Sequence, residues 1–365
     1  MVLKKIGLLF GLIILIFLSV QLFQFFKTYS PLVGGVIHPT KPLRMSSGRL
    51  NVLLLGIGGG SHDGPNLTDT IIYASIDPVT KRTTLISIPR DLWVPDLQGK
   101  ANTAYALGQE NGQQKGLVMA KAAMSKIIGQ PIDYAFRIDF AGFVKAIDYV
   151  GGIDVTVANA LDDYEYPIDG KEEDTCGHTP EEMQTLVASD SSALQLFPCR
   201  YMHLHFDKGL QHMDGNTALM FVRSRHGTGA EGTDFARSRR QQLVIEAFRS
   251  KVLSLQIALN PVKIIGLYSI LKDSIDTDVS QDEFGLFIRF FQQIKSNKIE
   301  STVIDFGDAA QNRPGLLINP PISSNYDFAS VLLPRIGDGN FSEIQDFVKC
   351  EITKGACMVS DQPKQ

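Results

Sequence analysis

Between Phe221 and Val244 the chain reads FVRSRHGTGAEGTDFARSRRQQLV, five arginines against two acids, and the spacing of these arginines restricts the folds open to it. Read as a strand, Val222 to His226 alternates, which sends Arg223 and Arg225 from one face of a sheet. Three glycines follow, Gly227, Gly229 and Gly232, and Asp234 then stands where a helix N-cap would. On the helix beyond it, Arg237, Arg240 and Gln241 share a face with Val244 and Phe248 at i, i+3, i+4, i+7 and i+11. A face that begins with guanidinium groups and runs into a core cannot leave those charges unpaired, because Arg does not deprotonate to escape burial. An anion is the natural partner. The other reading is a basic helix with its charges in solvent, and the shared face argues against it.

The rest of the chain can supply such a core. Its 365 residues exceed one average domain and 44% of them are hydrophobic. The formal net charge is only -4, so the basic character is local and nothing global points to nucleic acid.

Residues Ile6 to Phe26 are almost wholly apolar and long enough to span a bilayer as a helix. Lys4 and Lys5 precede the run, which reads as a signal anchor with a cytoplasmic N-terminus, although Lys27, Lys41, Arg44 and Arg49 beyond it dilute the charge asymmetry. A cleaved signal peptide would need a small-x-small site, and none follows clearly. Thr28 to Gly48, rich in Pro, Gly, Ser and basic residues, reads as a tether. The organisation expected is an anchor over 1–27, a tether over 28–50, a main domain over 51–300 and a closing segment over 301–365. Four cysteines fall in two pairs along the chain, Cys176 with Cys199 and Cys350 with Cys357, which suits two disulfides outside the cytoplasm. Three connectivities are formally open, and no CxxC metal spacing occurs.

Asn51 to Gly56 is an apolar strand running into Gly56-Ile-Gly-Gly-Gly-Ser61, which lacks the Gly-Lys-Ser/Thr of a phosphate-cradling loop. Thr70 to Ile76 and Thr83 to Ile88 read as a hairpin. If Ile76 pairs with Thr83, antiparallel register brings Asp69 opposite Arg90, with Asp91 adjacent. Two carboxylates and a guanidinium then meet at one sheet end, either as a site or as a structural ion pair. Gly116 to Ile128 has helical periodicity, Ile132 to Ile138 is a strand, Phe140 to Val150 a helix and Ile153 to Val157 a strand, the alternation of a layered α/β domain. From Ala160 to about His205 the pattern dissolves into acidic and polar residues, an insertion or lid at about 160–205. His203 and His205 alternate on one face, but with no third ligand in view they read as a surface pair rather than a metal site. Asp214 to Met220 reads as a short helix. Helices follow from Phe235 to about Leu255, from Pro261 and from Asp282 to Ile294, then a strand from Ser301 to Phe306.

Taken together, Asn51-Val-Leu-Leu-Leu-Gly, Leu67-Thr-Asp-Thr, Ser87-Ile-Pro-Arg-Asp, Lys100-Ala-Asn-Thr-Ala-Tyr and Arg223-x-Arg with Asp234-Phe-Ala-Arg-x-x-Arg-Gln-Gln resemble the LytR-CpsA-Psr family over roughly Asn51 to Leu255. The resemblance implies a membrane-anchored bacterial enzyme, and the apolar run with the paired cysteines makes it a single-pass one with its C-terminal domain outside the cytoplasm. It would move a glycopolymer from a polyprenyl-diphosphate carrier to an envelope acceptor, usually peptidoglycan, with a divalent metal, Mg2+ or Mn2+. It also implies a central mixed β-sheet flanked by helices, with the lipid tail in an apolar tunnel between them. By the same resemblance Arg90, Arg223, Arg225, Arg237, Arg240 and Gln241 look like the diphosphate-binding set, with Lys100 as its partner. Asp69 looks like a metal ligand, and Asp91 and Asp234 match acidic positions near the reaction centre. Where the family often has Leu-Gly-x-Asp after the first strand, this chain has Gly58, so that Asp63 or His62 would have to stand in for the second metal carboxylate. Ala236 replaces a frequent glycine.

The chemistry suits the residues by itself. Cleaving a diphosphate ester requires stabilisation of the leaving phosphate, which arginines and a metal supply. A carboxylate such as Asp91 or Asp234 can take the proton from an attacking sugar hydroxyl. Two other uses of such a site are hydrolysis, with water in place of the sugar, and capture of a lipid-linked glycan without chemistry.

Overall fold

A strand such as β1 (Leu50–Ile57), apolar on both faces, has to lie inside a sheet covered on both sides. In the computed structural model, which describes residues 42–60, 64–110, 115–187, 192–252, 260–293, 298–308 and 313–362, it does. The apolar run Ile6 to Phe26, most of the tether, His62 and Asp63 lie outside those residues. Among the described residues no helix is long and apolar enough to cross a membrane.

Beside β1 the sheet contains β2 (Thr68–Asp77), β3 (Arg82–Ser87), β6 (Tyr134–Asp139), β11 (Ile275–Thr277) and β12 (Lys298–Val303), in the order β11-β6-β1-β2-β3-β12. Short strands β4 (Trp93–Val94) and β5 (Gly99–Lys100) pair with each other. β1 runs parallel to β6 and antiparallel to β2, β3 runs antiparallel to β2 and parallel to β12, and β11 closes the other edge antiparallel to β6. The sheet is therefore mixed, as the resemblance implies.

Alternation along the strands divides the core in two. Leu53, Leu55, Ile71, Tyr73 and Ile86 face α2 (Gly116–Ile128), through Met124 and Ile127, and α8 (Ser342–Thr353), through Ile344 and Val348. Leu50, Val52, Ile72, Ala74 and Ile76 face Phe287 and Phe290 of α7 (Gln281–Gln293). α8 thus contributes to the main core, and its Cys350 is bonded to Cys357.

A third cluster lies beside the sheet. α3 (Phe140–Tyr149) and β7 (Ile153–Val157) lead into a hairpin of β8 (Leu161–Pro167) and β9 (Tyr201–Phe206), and β10 (Gly209–Met213) returns to pair with β7. Leu161, Tyr166, Leu204 and Phe206 bury against Phe221 and Val244. The acidic segment between about 160 and 205 therefore begins and ends as a paired hairpin, and the described part of its excursion carries the Cys176–Cys199 disulfide.

Two expectations are corrected here. Val222 to His226 is not a strand: Asp214 caps a helix, α4 (Gly215–Arg223), by accepting from the Thr217 amide at 2.8 Å, and the chain leaves it as a loop. Val222 and Arg223 are the last turn of a helix that buries Ala218 and Phe221, and Ser224 to His226 are loop. The following helix, α5 (Asp234–Val252), is capped by Thr233, whose hydroxyl accepts from the Ala236 amide at 3.1 Å, so Asp234 is its first helical residue rather than its cap. The loop between them is tight: a Cβ on Gly232 would lie 2.2 Å from the Gly227 carbonyl oxygen.

Candidate active site

The hairpin register is the one read from sequence, Ile76 opposite Thr83. Continued past the last paired residues it brings Asp69 to Arg90, whose Nη1 donates to Asp69 Oδ1. On its other edge β2 pairs Thr70 with Gly56 and Thr68 with Ile57, which leaves Asp69 as an extra residue between two ladder pairs. Such bulges re-aim a side chain at a sheet end. The Asp69 side chain is 44% exposed, open to a ligand as well as to Arg90.

Arg90 also reaches Asp91, Nε to Oδ2 at 3.4 Å, and Lys100 Nζ donates to Asp91 Oδ1 at 2.8 Å. Lys100 is delivered by the β4–β5 pairing, Trp93 opposite Lys100. Burial pushes the Asp91 carboxyl up. The hydrogen bond from Lys100 and the charges of Arg90, Lys100 and Arg225 outweigh that, so its pKa is lowered. Arg225 is thereby placed within electrostatic reach of Asp91.

Arg223 ends α4 and makes a bidentate pair with Asp169, 3.1 and 3.0 Å, with its guanidinium 4.9 Å above the Phe140 ring centre. Burial lowers the pKa of this guanidinium, but the Asp169 hydrogen bond and the Asp169 and Asp69 carboxylates raise it further, a net upward shift. Arg223 and Arg225 thus come within electrostatic reach of Asp69 and Asp91, from a helix terminus and a loop and not from a shared strand face.

Asp163, wholly buried on β8, holds that loop. Its Oδ2 accepts from the Ser224 hydroxyl at 2.7 Å and from the amides of Arg225 and His226, each at 3.2 Å. From the other side Arg240, 3% exposed, donates to the carbonyls of Phe221 (3.0 Å), Ser224 (2.7 Å) and Glu231 (2.9 Å) and to Glu231 Oε2 (3.0 Å). Four of its five N–H donors are spent on protein, so Arg240 clamps the arginine loop. Gln241 donates to Thr70 Oγ1 at 3.0 Å, tying α5 to the strand that carries Asp69. Arg237 lies half-buried one turn before Gln241. The Asp234 side chain, like Asp63, lies outside what is described.

Sequence reasoning missed Asp163 and Asp169, which come from about 60 residues upstream of the loop and the helix end they bind, and Asn102, which stands two residues after Lys100. Asn102 is buried with its Oδ1 unpartnered, and its backbone carbonyl accepts from the Thr68 amide beside Asp69. Arg90 Nε is likewise buried without a hydrogen bond.

The mixed sheet thus ends in two carboxylates, a lysine and arginines within electrostatic reach of them. The match to the LytR_cpsA_psr family spans residues 36–315, and the chain belongs to that family. It is 27% identical over 322 residues to a polyisoprenyl-teichoic acid–peptidoglycan teichoic acid transferase, TagU, of Enterococcus faecalis, covering 82% of this chain and 88% of the relative. Bacillus subtilis TagV, a transferase of the same description, is 25% identical over 323 residues, 84% of this chain and 72% of its own. The crystal structure of B. subtilis TagV superposes with a TM-score of 0.55 at 22% identity, over 84% of this chain and 98% of that one. A TagT structure bound to LI-WTA gives 0.53 at 17%, over 87% and 96%. These superpositions establish the fold.

Proposed function

We propose that this chain transfers a polyprenyl-diphosphate-linked glycopolymer to a cell-envelope acceptor, peptidoglycan, from a membrane anchor at Ile6 to Phe26 that leaves the folded domain outside the cytoplasm. The observation that carries the reading is the cluster of Arg90 and Lys100 on Asp69 and Asp91 at one end of the sheet, with Arg223 and Arg225 within electrostatic reach of the same carboxylates. Membership of a family whose curated members include peptidoglycan teichoic acid transferases supports it.

In this reading Arg223 gives up its exposed partner Asp169 for the diphosphate, and Arg90, Arg225, Arg237 and Lys100 complete the cradle. Bidentate guanidinium–phosphate pairing favours the charge that develops on the leaving phosphate. The acceptor hydroxyl oxygen bonds to the sugar-linked phosphorus, the bond from that phosphorus to the bridging oxygen breaks, and polyprenyl phosphate departs. Asp91, ionised at neutral pH, or Asp234 takes the hydroxyl proton. Arg240 and Gln241 position the loop and helix and do not need to touch substrate.

Asp69 offers oxygen, the donor that Mg2+ and Mn2+ prefer, and Mg2+ sites with one or two protein carboxylates complete their shell from water and substrate phosphate. Gly58 supplies no second carboxylate, which leaves Asp69, with Asp63 five residues beyond Gly58 in sequence, to hold the ion. When bound, it neutralises charge on the phosphate oxygens. Between the sheet and its helical cover, Leu54, Phe136, Ile245, Phe284 and Phe291 are only partly buried, and this apolar layer is the place for the polyprenyl tail.

Mass spectrometry of full-length protein extracted in detergent tests the reading: a co-purified polyprenyl-diphosphate glycan is expected. Product analysis then separates transfer from hydrolysis. Release of the carrier at equal rates with and without peptidoglycan would assign the site to a hydrolase, and lipid bound without turnover would assign it to capture.

A further inference from the structure

Asp162 and His205 are direct cross-strand partners in the β8–β9 hairpin, and His203 lies two residues along the same face. Backbone pairing sets the Cβ atoms of such partners about 5 Å apart. One coordinating atom from each of the three residues lies within 4.8 Å of the others. Both imidazoles meet the same oxygen, His203 Nε2 and His205 Nδ1 each 2.8 Å from Asp162 Oδ1. The second nitrogen of His205 meets Asp207 Oδ1 at 3.2 Å. Both ring nitrogens of His205 therefore face carboxylate oxygens, an arrangement that suits an imidazolium or an imidazole with a metal ion in place of one proton. The His203 ring is stacked on Tyr164, centroids 4.1 Å apart and planes within 4°, which limits its rotation.

We infer that Asp162, His203 and His205 form a transition-metal site, selective for Zn2+ or a similar borderline ion, distinct from the oxygen-only position at Asp69. Two imidazoles and one carboxylate are the donor set of zinc rather than of Mg2+ or Ca2+. Bonds of about 2.0 to 2.1 Å place tetrahedral ligand atoms about 3.3 Å apart, about half an ångström beyond the two present Asp162–histidine distances and inside the 4.8 Å that spans all three ligand atoms. Asp207 on the outer nitrogen of His205 supplies the orienting carboxylate that metal-bound histidines commonly have. The side chains are 45%, 45% and 29% exposed for His203, His205 and Asp162, so the fourth position opens to solvent.

The site also bears on the arginine loop. The Asp162 carbonyl accepts from the Thr228 amide at 2.8 Å, and the next residue, Asp163, holds Ser224, Arg225 and His226. An ion on Asp162 therefore braces β8 where that loop is fastened.

The test is equilibrium dialysis of purified full-length protein in detergent against Zn2+ with excess Mg2+, with metal counted by elemental analysis and Co2+ as a spectroscopic probe. One tightly bound Zn2+ per chain is expected, with Co2+ giving the visible absorption of a tetrahedral nitrogen–oxygen site and a melting temperature that rises with the metal. Asp207→Asn should weaken binding about 10-fold. His203→Ala with His205→Ala should abolish it, while Asp69→Asn leaves it unchanged. Parental protein without bound Zn2+ and without the Co2+ spectrum would overturn the inference regardless of how the variants fold. Binding that survives loss of both histidines, or that disappears with Asp69→Asn, would place the ion elsewhere and overturn it equally.

Discussion

The buried Asp163 carboxylate accepts the Ser224 hydroxyl at 2.7 Å, so a strand laid down about 60 residues earlier sets the position of the loop that carries Arg225. Hydrogen bonds to charged groups contribute about 1.5 to 3 kcal/mol each, with losses that are not additive. Asp163→Ala is therefore expected to lower unfolding free energy by about 3 kcal/mol, measured by urea denaturation, and Asp163→Asn by less because it keeps an acceptor oxygen.

Arg240 and Arg223 should separate in their effects. Arg240 spends four donors on carbonyls and Glu231 while 3% exposed, and breaking a buried pair by removing one partner costs about 3 to 5 kcal/mol. Arg240→Ala should lower the melting temperature sharply, and Arg240→Lys should recover little of it because a point charge cannot reproduce the fork. Arg223→Ala, removing a residue whose partner Asp169 is largely exposed, should leave the melting temperature close to the parent's.

Asp169 competes with the substrate for Arg223. The exposed partner contributes about 0.2 to 1 kcal/mol, so Asp169→Asn should lower the KM for polyprenyl-diphosphate glycan by up to about fivefold at low salt, with a smaller effect at high salt. An increase in KM would instead make Asp169 part of the binding site.

The Asp91 carboxyl has a lowered folded pKa, set against burial by Lys100, Arg90 and Arg225. Its ionised form therefore contributes stability that is fully present above the unfolded value, near 4, and is lost as pH falls through the lower folded value. The stability difference between the parent and Asp91→Asn should be constant near neutrality and shrink below about pH 4. Denaturant midpoints for both proteins across that range check the sign.

Much of this site was legible because its pieces are local. Ile76 and Thr83 flank one short turn, so their register and the Asp69–Arg90 pair follow from counting residues. The stripe of Arg237, Arg240 and Gln241 on one helix follows from 3.6-residue spacing. What sequence could not supply was contact between distant segments. Val222 to His226 alternates well enough for a strand, and only Asp214 capping a helix upstream and Asp163 holding the loop decide otherwise. For the same reason His203 and His205 lacked a visible third ligand: Asp162 reaches them across a hairpin whose two strands are separated by a long excursion. An arginine facing inward, as Arg240 does, needs an anion or several acceptors, and composition does not say which.

The central claim, that the converging arginines stabilise a diphosphate in transfer, is tested most directly by measuring polyprenyl-diphosphate-glycan transfer to peptidoglycan by Arg90→Ala, Arg223→Ala and Arg225→Ala variants whose melting temperatures match the parent. Each lost guanidinium should cost about 2 to 4 kcal/mol of transition-state stabilisation, roughly 30- to 10^3-fold in turnover, with lysine giving only partial rescue. Parental rates and parental lipid affinity in all three would contradict the account.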